Sequence, residues 1–146
     1  MPILNYTTKV PADRTILSIQ KKLAAFGAIA ILIEYGPEGE ASAMSFRFMH
    51  EGVMLSFRLP ARLDAIYKIL CDTCEPRYHH KEQAARVTWR IIKDWVEAQL
   101  AIVEAEQADL VEVFLPYAQN EETGQTLYKS IREGGFKLLG GPDRAT

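Results

Sequence analysis

The sequence predicts an α+β fold: a helix, a three-stranded antiparallel β-meander, a second helix, then a mostly helical C-terminal half with one long central helix. Three observations lead there. Successive stretches between Ala28 and Leu59 alternate apolar and other residues with period two, separated by glycine-containing turns. The flanking segments repeat apolar residues every three or four positions. A longer helical pattern then runs from about His80 to Glu106, enough for roughly seven turns.

Taken in order, Asn5 to Val10, with Tyr6 and two threonines, reads as a short leading strand. Pro11-Ala12-Asp13 opens the first helix, Ile16, Ile19, Leu23 and Phe26 mark its apolar face, and Gly27 stands where a left-handed glycine ends a helix. Ala28–Tyr35 is the first meander strand, and Gly36 to Gly39 a turn. Ala41–Met49 follows, with Met44, Phe46 and Phe48 on one side. His50-Glu51-Gly52 leads into the third strand, where Val53, Leu55, Phe57 and Leu59 face one way. Pro60 fits the first position of the second helix, whose face is Leu63, Ile66, Tyr67 and Leu70. A meander has one face to cover, and these first two helices are expected to cover it.

Cys71 to His80 is expected to be a loop around Pro76. In the long helix beyond it, Ala84, Val87, Ile91, Trp95, Ala98 and Ile102 share one side, widened by Ala85, Ile92, Val96 and Val103. Arg86, Arg90, Lys93, Glu97 and Glu104 form an opposite charged stripe flanked by Trp89 and Leu100. Ala108–Leu115 is a short helix stopped by Pro116, Gln119–Gln125 a polar loop, and Thr126–Glu133 a last helix closed by Gly134-Gly135. Phe136 to Leu139 is expected to dock on the body. The organisation is one domain over 1–139, with halves 1–70 and 80–139, and a frayed tail at 140–146.

The charges of the long helix run against its dipole. Lys81, Arg86, Arg90 and Lys93 come first, and Asp94, Glu97, Glu104 and Glu106 come last. The macrodipole favours the reverse by about 0.3–1 kcal/mol per charge near a terminus. The charges therefore serve a partner, a second copy or another part of the fold. The imbalance extends beyond the helix: Arg62 to Lys93 holds seven Lys/Arg against four Asp/Glu, and Asp94 to Tyr128 holds eight Asp/Glu and no Lys or Arg.

Arg86, Arg90 and Lys93, spaced i, i+4, i+7, put three cations on one helical face, which Arg62 and Lys68 could extend. With Trp89 beside them they form the candidate nucleic-acid contact, since each neutralised phosphate adds counterion release. Because the net charge is −2, only weak, salt-sensitive binding is expected. The acidic counterpart, Asp94, Glu97, Glu104, Glu106, Asp109 and Glu112, could mimic nucleic-acid charge toward a protein. An antiparallel pair of long helices would also set basic halves against acidic halves about a twofold axis, which makes a homodimer the third partner class.

Cys71, Cys74, His79 and His80 are the right residue types for zinc. A tetrahedral site needs four donors converging at about 2.0–2.3 Å, and strong motifs place the second pair a dozen or more residues away. Here all four fall within ten residues, so the metal assignment is none, with these four as the weak candidates. The Cys-x-x-Cys closes a helix rather than opening one, where the dipole raises a thiol pKa, so a redox role is rejected. No nucleophile elbow, glycine-rich phosphate loop or His-x-x-x-His pair is present. The expectation is a protein without enzymatic activity or cofactor. No run of about 18 apolar residues exists and the start lacks a basic-then-apolar leader, so no membrane span or secretory signal is expected and the host cell's cytoplasm is the expected compartment.

The stretch Ala85 to Ala105, with Trp89-Arg90 and Lys93-Asp94-Trp95 at its centre, followed by Glu112-Val-Phe-Leu-Pro-Tyr117, resembles a group of small uncharacterised proteins of bacteriophages, prophages and related mobile elements. Asn5 to Lys9 and Phe57 to Pro60 are similar too. The resemblance implies context rather than an activity, and implies a variable loop at Cys71 to His80. The helix–three-strand–helix order is also that of double-stranded-RNA-binding domains, but their basic loop is absent. Three functions are thus expected: an accessory protein of a phage or mobile element binding nucleic acid weakly; an inhibitor of a host factor or defence system; a small zinc-binding or hydrolytic protein.

Overall fold

The computed structural model describes residues 2–141. The fold is α+β, as the sequence predicts. Helix α1 (Ala12–Ala25) is followed by strands β1 (Ala30–Tyr35), β2 (Ala41–His50) and β3 (Val53–Pro60). Then come α2 (Leu63–Thr73), a 3₁₀ turn (Pro76–Tyr78), the long α3 (Lys81–Glu104), α4 (Leu110–Phe114), a second 3₁₀ turn (Leu115–Tyr117) and α5 (Leu127–Glu133).

The strands form one antiparallel sheet in the order β1-β2-β3. Gly27, at φ +106°, ends α1 where an L side chain would be strained, and the Ala28 N–H donates back to the Leu23 carbonyl at 3.0 Å. Between β2 and β3, Glu51 and Gly52 both take positive φ, the backbone that a two-residue hairpin between His50 and Val53 requires.

One sheet face carries the core. Met44, Phe46 and Phe48 alternate along β2, and Phe57 and Leu59 lie beside them on β3, opposite Phe46 and Met44. Phe46 stacks on Phe57 at 5.6 Å and meets Phe114 edge-on at 5.1 Å. Above them lie Ile19 and Leu23 of α1, and Trp89, Val96 and Leu100 of α3. The helices that cover the sheet are therefore α1 and α3. The expected pairing of α1 with α2 is corrected: α2 packs on α3, and its one fully buried side chain, Leu70, lies outside the sheet core.

Other boundaries also differ from expectation. Asn5 to Val10 is not a strand. It is an irregular strap on α3, where the buried Gln83 amide donates to the Tyr6 and Thr8 carbonyls at 2.8 and 3.0 Å. Those carbonyls are satisfied by a side chain instead of a strand neighbour. Pro60 ends β3, paired with Ala43, rather than opening α2. Cys71 to Thr73 belong to α2, not to a loop. Leu138 and Leu139 stay exposed instead of docking. Of the tail expected to fray, 142–146 lie outside the described residues.

Candidate nucleic-acid interface

The basic stripe of α3 is not a free surface. It lies in the seam between α3, α1 and the N-terminal strap. Glu97 accepts from Lys93 at 2.6 Å, one turn back, and from Lys22 on α1. The hydrogen bonds from Lys22 and Lys93 hold the Glu97 carboxyl below its ordinary pKa. Asp94 accepts from the Asn5 amide at 2.8 Å and lies 3.9 Å from Arg90. Arg86 donates to Glu82 at 2.8 Å and to Gln83 at 3.2 Å, while its Nε is buried without a hydrogen-bond partner. The Lys93 side chain is only 14% exposed.

Trp89 is likewise corrected. Expected as an exposed contact beside the cations, it is 0% exposed and donates its indole N–H to the Ala41 carbonyl at 3.2 Å. The seam has two halves: Trp89, Val96 and Leu100 face the sheet, and the charged residues beside them face α1. The expected apolar face of α3 is corrected in part: Ala84, Val87 and Val96 are buried as expected. Ala98 and Ile102 of the widest apolar stripe are exposed. Of the charges that an antiparallel α3 pair would use, Arg86, Arg90, Lys93, Asp94 and Glu97 are engaged within the chain, whereas Glu104 and Glu106 are exposed.

The acidic set divides in two. Asp94 and Glu97 are half-buried in the seam just described. Glu104, Glu106, Asp109 and Glu112 are exposed from the far end of α3, through the connection, to α4. There Glu112 accepts from the Asp109 backbone N–H at 3.0 Å, and Asp109 lies 3.7 Å from His50.

The Cys and His residues serve the backbone around the α2–α3 connection. His80 caps α3, its Nδ1 accepting from the Gln83 N–H at 3.2 Å. His79 Nε2 hydrogen-bonds the Cys74 carbonyl at 2.7 Å. The Cys71 thiol, one helical turn after Tyr67, raises the tyrosine pKa. Both cysteines are free thiols, and no group of three or more His, Cys, Asp or Glu converges on a metal position among the described residues.

A different basic surface emerges from the fold. An open groove of about 960 Å³ runs between α2, α3 and the C-terminal segment. Its floor is apolar, with Leu59, Ile66, Ile91 and Ile92, and Trp95, Tyr117 and Tyr128 also line it. Four cations do so as well, Arg58, Arg62, Lys129 and Arg132, and no Asp or Glu does among the described residues. Arg58 is bound by Glu34 through both carboxylate oxygens, at 2.8 and 3.3 Å. Arg62, Lys129 and Arg132 make no ion pair among the described residues.

The far wall is positioned by two short links. Gln119 N–H donates to the Ser56 carbonyl at 2.8 Å, and Leu127 N–H to the Ala118 carbonyl at 2.7 Å, with Thr126 capping α5. Trp95 is fixed edge-on between Phe114 at 5.7 Å and Tyr117 at 5.5 Å. Of this site, sequence reading finds only Arg62. Of its other cations, Arg58 lies on β3 and Lys129 and Arg132 on α5, and the one local signal was this last pair, three apart, ending a long stretch without Lys or Arg.

Comparison of the chain with protein-family models, with curated proteins and with solved structures finds no match. No helix among the described residues is long and apolar enough to cross a membrane.

Proposed function

We propose that this chain is a non-enzymatic accessory protein of a phage or mobile element, acting in the host cytoplasm and binding single-stranded nucleic acid in the groove between α2, α3 and α5. The observation that carries the reading is the composition of the groove wall: four cations, three aromatic side chains and, among the described residues, no carboxylate. Single strands are held in this way, by cations that follow the phosphates and by aromatic rings that stack on bases. Arg62, Lys129 and Arg132 are the phosphate contacts, and Tyr128, half exposed, is the stacking residue. Three unpaired cations give weak binding whose logarithm falls with log salt at a slope of about −2.

Fluorescence anisotropy with short single- and double-stranded DNA and RNA, titrated with salt, tests this. Binding to single strands should disappear when Arg62, Lys129 and Arg132 are changed together to Glu. No binding at low salt ends the proposal. The second reading, a protein-binding inhibitor of a host factor or defence system, is favoured by the exposed Glu104, Glu106, Asp109 and Glu112. It would then take the lead.

A further inference from the structure

The two edges of the sheet are treated differently. The outer edge of β3 is covered: Phe57 bridges to Ala118, and Gln119 donates to the Ser56 carbonyl at 2.8 Å. The outer edge of β1 has no strand neighbour among the described residues. Among the described residues, the hydrogen bonds of Ala30–Tyr35 lead only to β2 and to the Arg58 side chain. An open edge presents unpaired backbone groups that template another strand, and folded proteins usually blunt it with lysine, proline or a bulge. β1 has no lysine or proline. Its one charge, Glu34, is held by Arg58, and the register shift falls only at its end, between Glu34 and Tyr35. The strand and the residue before it expose Ile29 (58%), Leu32 (61%) and Tyr35 (68%).

We propose that this edge pairs with the same edge of a second copy, antiparallel about a twofold axis at Leu32, to give a continuous six-stranded sheet. The register follows from the residues. Cross-strand partners must share a face, so a symmetric pair can be centred only on a residue, and each alternative centre moves the side chains by two positions. Centring on Leu32 sets Leu32 against Leu32 of the second copy, Ile31 against Ile33, and Ile29 against Tyr35. These are apolar, β-branched and aromatic pairs of the kind that stabilise sheets. Glu34 then faces Ala30 of the second copy, whose small side chain leaves Arg47 next in line, because Arg47 is the β2 partner of Ala30. Arg47 is exposed and touches Glu121 only at 3.8 Å. Charges on the two copies are therefore complementary. Centring on Ile33 would instead set Leu32 against Glu34, and centring on Ile31 would set Tyr35 against Gly27. The self-complementarity of the strand selects a second copy over an unrelated strand as the occupant.

The test is mass by light scattering on size-exclusion chromatography at up to about 100 µM protein. The expected mass is twice the 16.5 kDa chain. Leu32→Lys, which sets two ammonium groups against each other, should return the monomer with unchanged circular dichroism. In a Cys71→Ser, Cys74→Ser background, Leu32→Cys should form a disulfide-linked dimer on mild oxidation. Ile29→Cys should not, because the two copies of position 29 would lie about 20 Å apart. A wild-type monomer at that concentration overturns the proposal. So does a dimer that survives Leu32→Lys, or crosslinking as efficient at position 29 as at position 32.

Discussion

The indole N–H of Trp89 reaches the carbonyl of Ala41 at 3.2 Å, joining the long helix to the first residue of the central strand. The ring is fully buried beneath the helix, so the bond adds direction to a large apolar contact. Trp89→Phe should cost roughly 1–3 kcal/mol, from lost volume and an unpartnered carbonyl, and Trp89→Ala about 3–5 kcal/mol. Urea unfolding followed by circular dichroism measures both. A tolerated Trp89→Ala would show that this ring is not the packing centre of the helix.

Glu97 gives the fold a pH dependence of known sign. Its carboxyl is held below the ordinary value of 4.5 by hydrogen bonds from Lys22 and Lys93. The stabilisation is therefore complete above 4.5 and fades as the pH falls through the lower, folded-state value. Part of the pair lies in water, so the effect is of surface-pair size, roughly 1 kcal/mol or less. Glu97→Gln should be less stable than wild type at neutral pH and converge with it in acid. Denaturation midpoints across that range would show the convergence. A gap that widens in acid would contradict this account.

Charge reversal separates the two basic surfaces. Lys93→Glu puts a second carboxylate beside Glu97 in the half-buried seam, and should lower stability by about 1–3 kcal/mol. Arg62→Glu and Arg132→Glu lie on exposed positions, and each should change stability by no more than about 0.5 kcal/mol. Thermal melts run beside the anisotropy assay distinguish loss of fold from loss of binding. Equal destabilisation by all three changes would mean that the groove cations are structural.

His80 should behave as a helix cap. His80→Ala removes the acceptor for the Gln83 N–H, at a cost of roughly 0.5–1 kcal/mol, whereas His80→Ser or His80→Asp should retain the stability. Chemical denaturation of the three variants tests this. A loss in His80→Asp equal to that in His80→Ala would point to the ring itself.

The parts of the fold that could be read from sequence are those in which the pattern is local. Met44, Phe46 and Phe48 alternate without interruption, and Glu51-Gly52 is a turn by residue type alone. The bounds of α1, with Pro11 before it and Gly27 after it, depend only on neighbouring residues. The buried face of α3 was read in part: Ala84, Val87 and Val96 are buried as expected, but Trp89 and Leu100 were missed because their environment is not local. Hydropathy favoured the stripe through Ala98 and Ile102. The residues that face the sheet, Trp89, Val96 and Leu100, sit beside a row of charges. That row can approach the core because Lys22, 75 positions away from Glu97, and Asn5, 89 positions away from Asp94, supply its partners. Periodicity carries no information about such partners. The same holds for the groove, whose cations on β3, α2 and α5 become neighbours only when the C-terminal segment returns to β3. The reversed charge order of α3 was legible, and for Asp94 and Glu97 the fold supplies partners in Asn5 and Lys22.

The returning segment also sets a timetable. Ser56 leaves the ribosome roughly sixty residues before Gln119, the residue that covers its edge. At about 5–20 residues per second, the nascent sheet spends several seconds with both borders open. A chain released after α3 keeps both borders open permanently. Such a fragment is expected to aggregate, so truncation between 105 and 117 is the damage this protein is least equipped to survive.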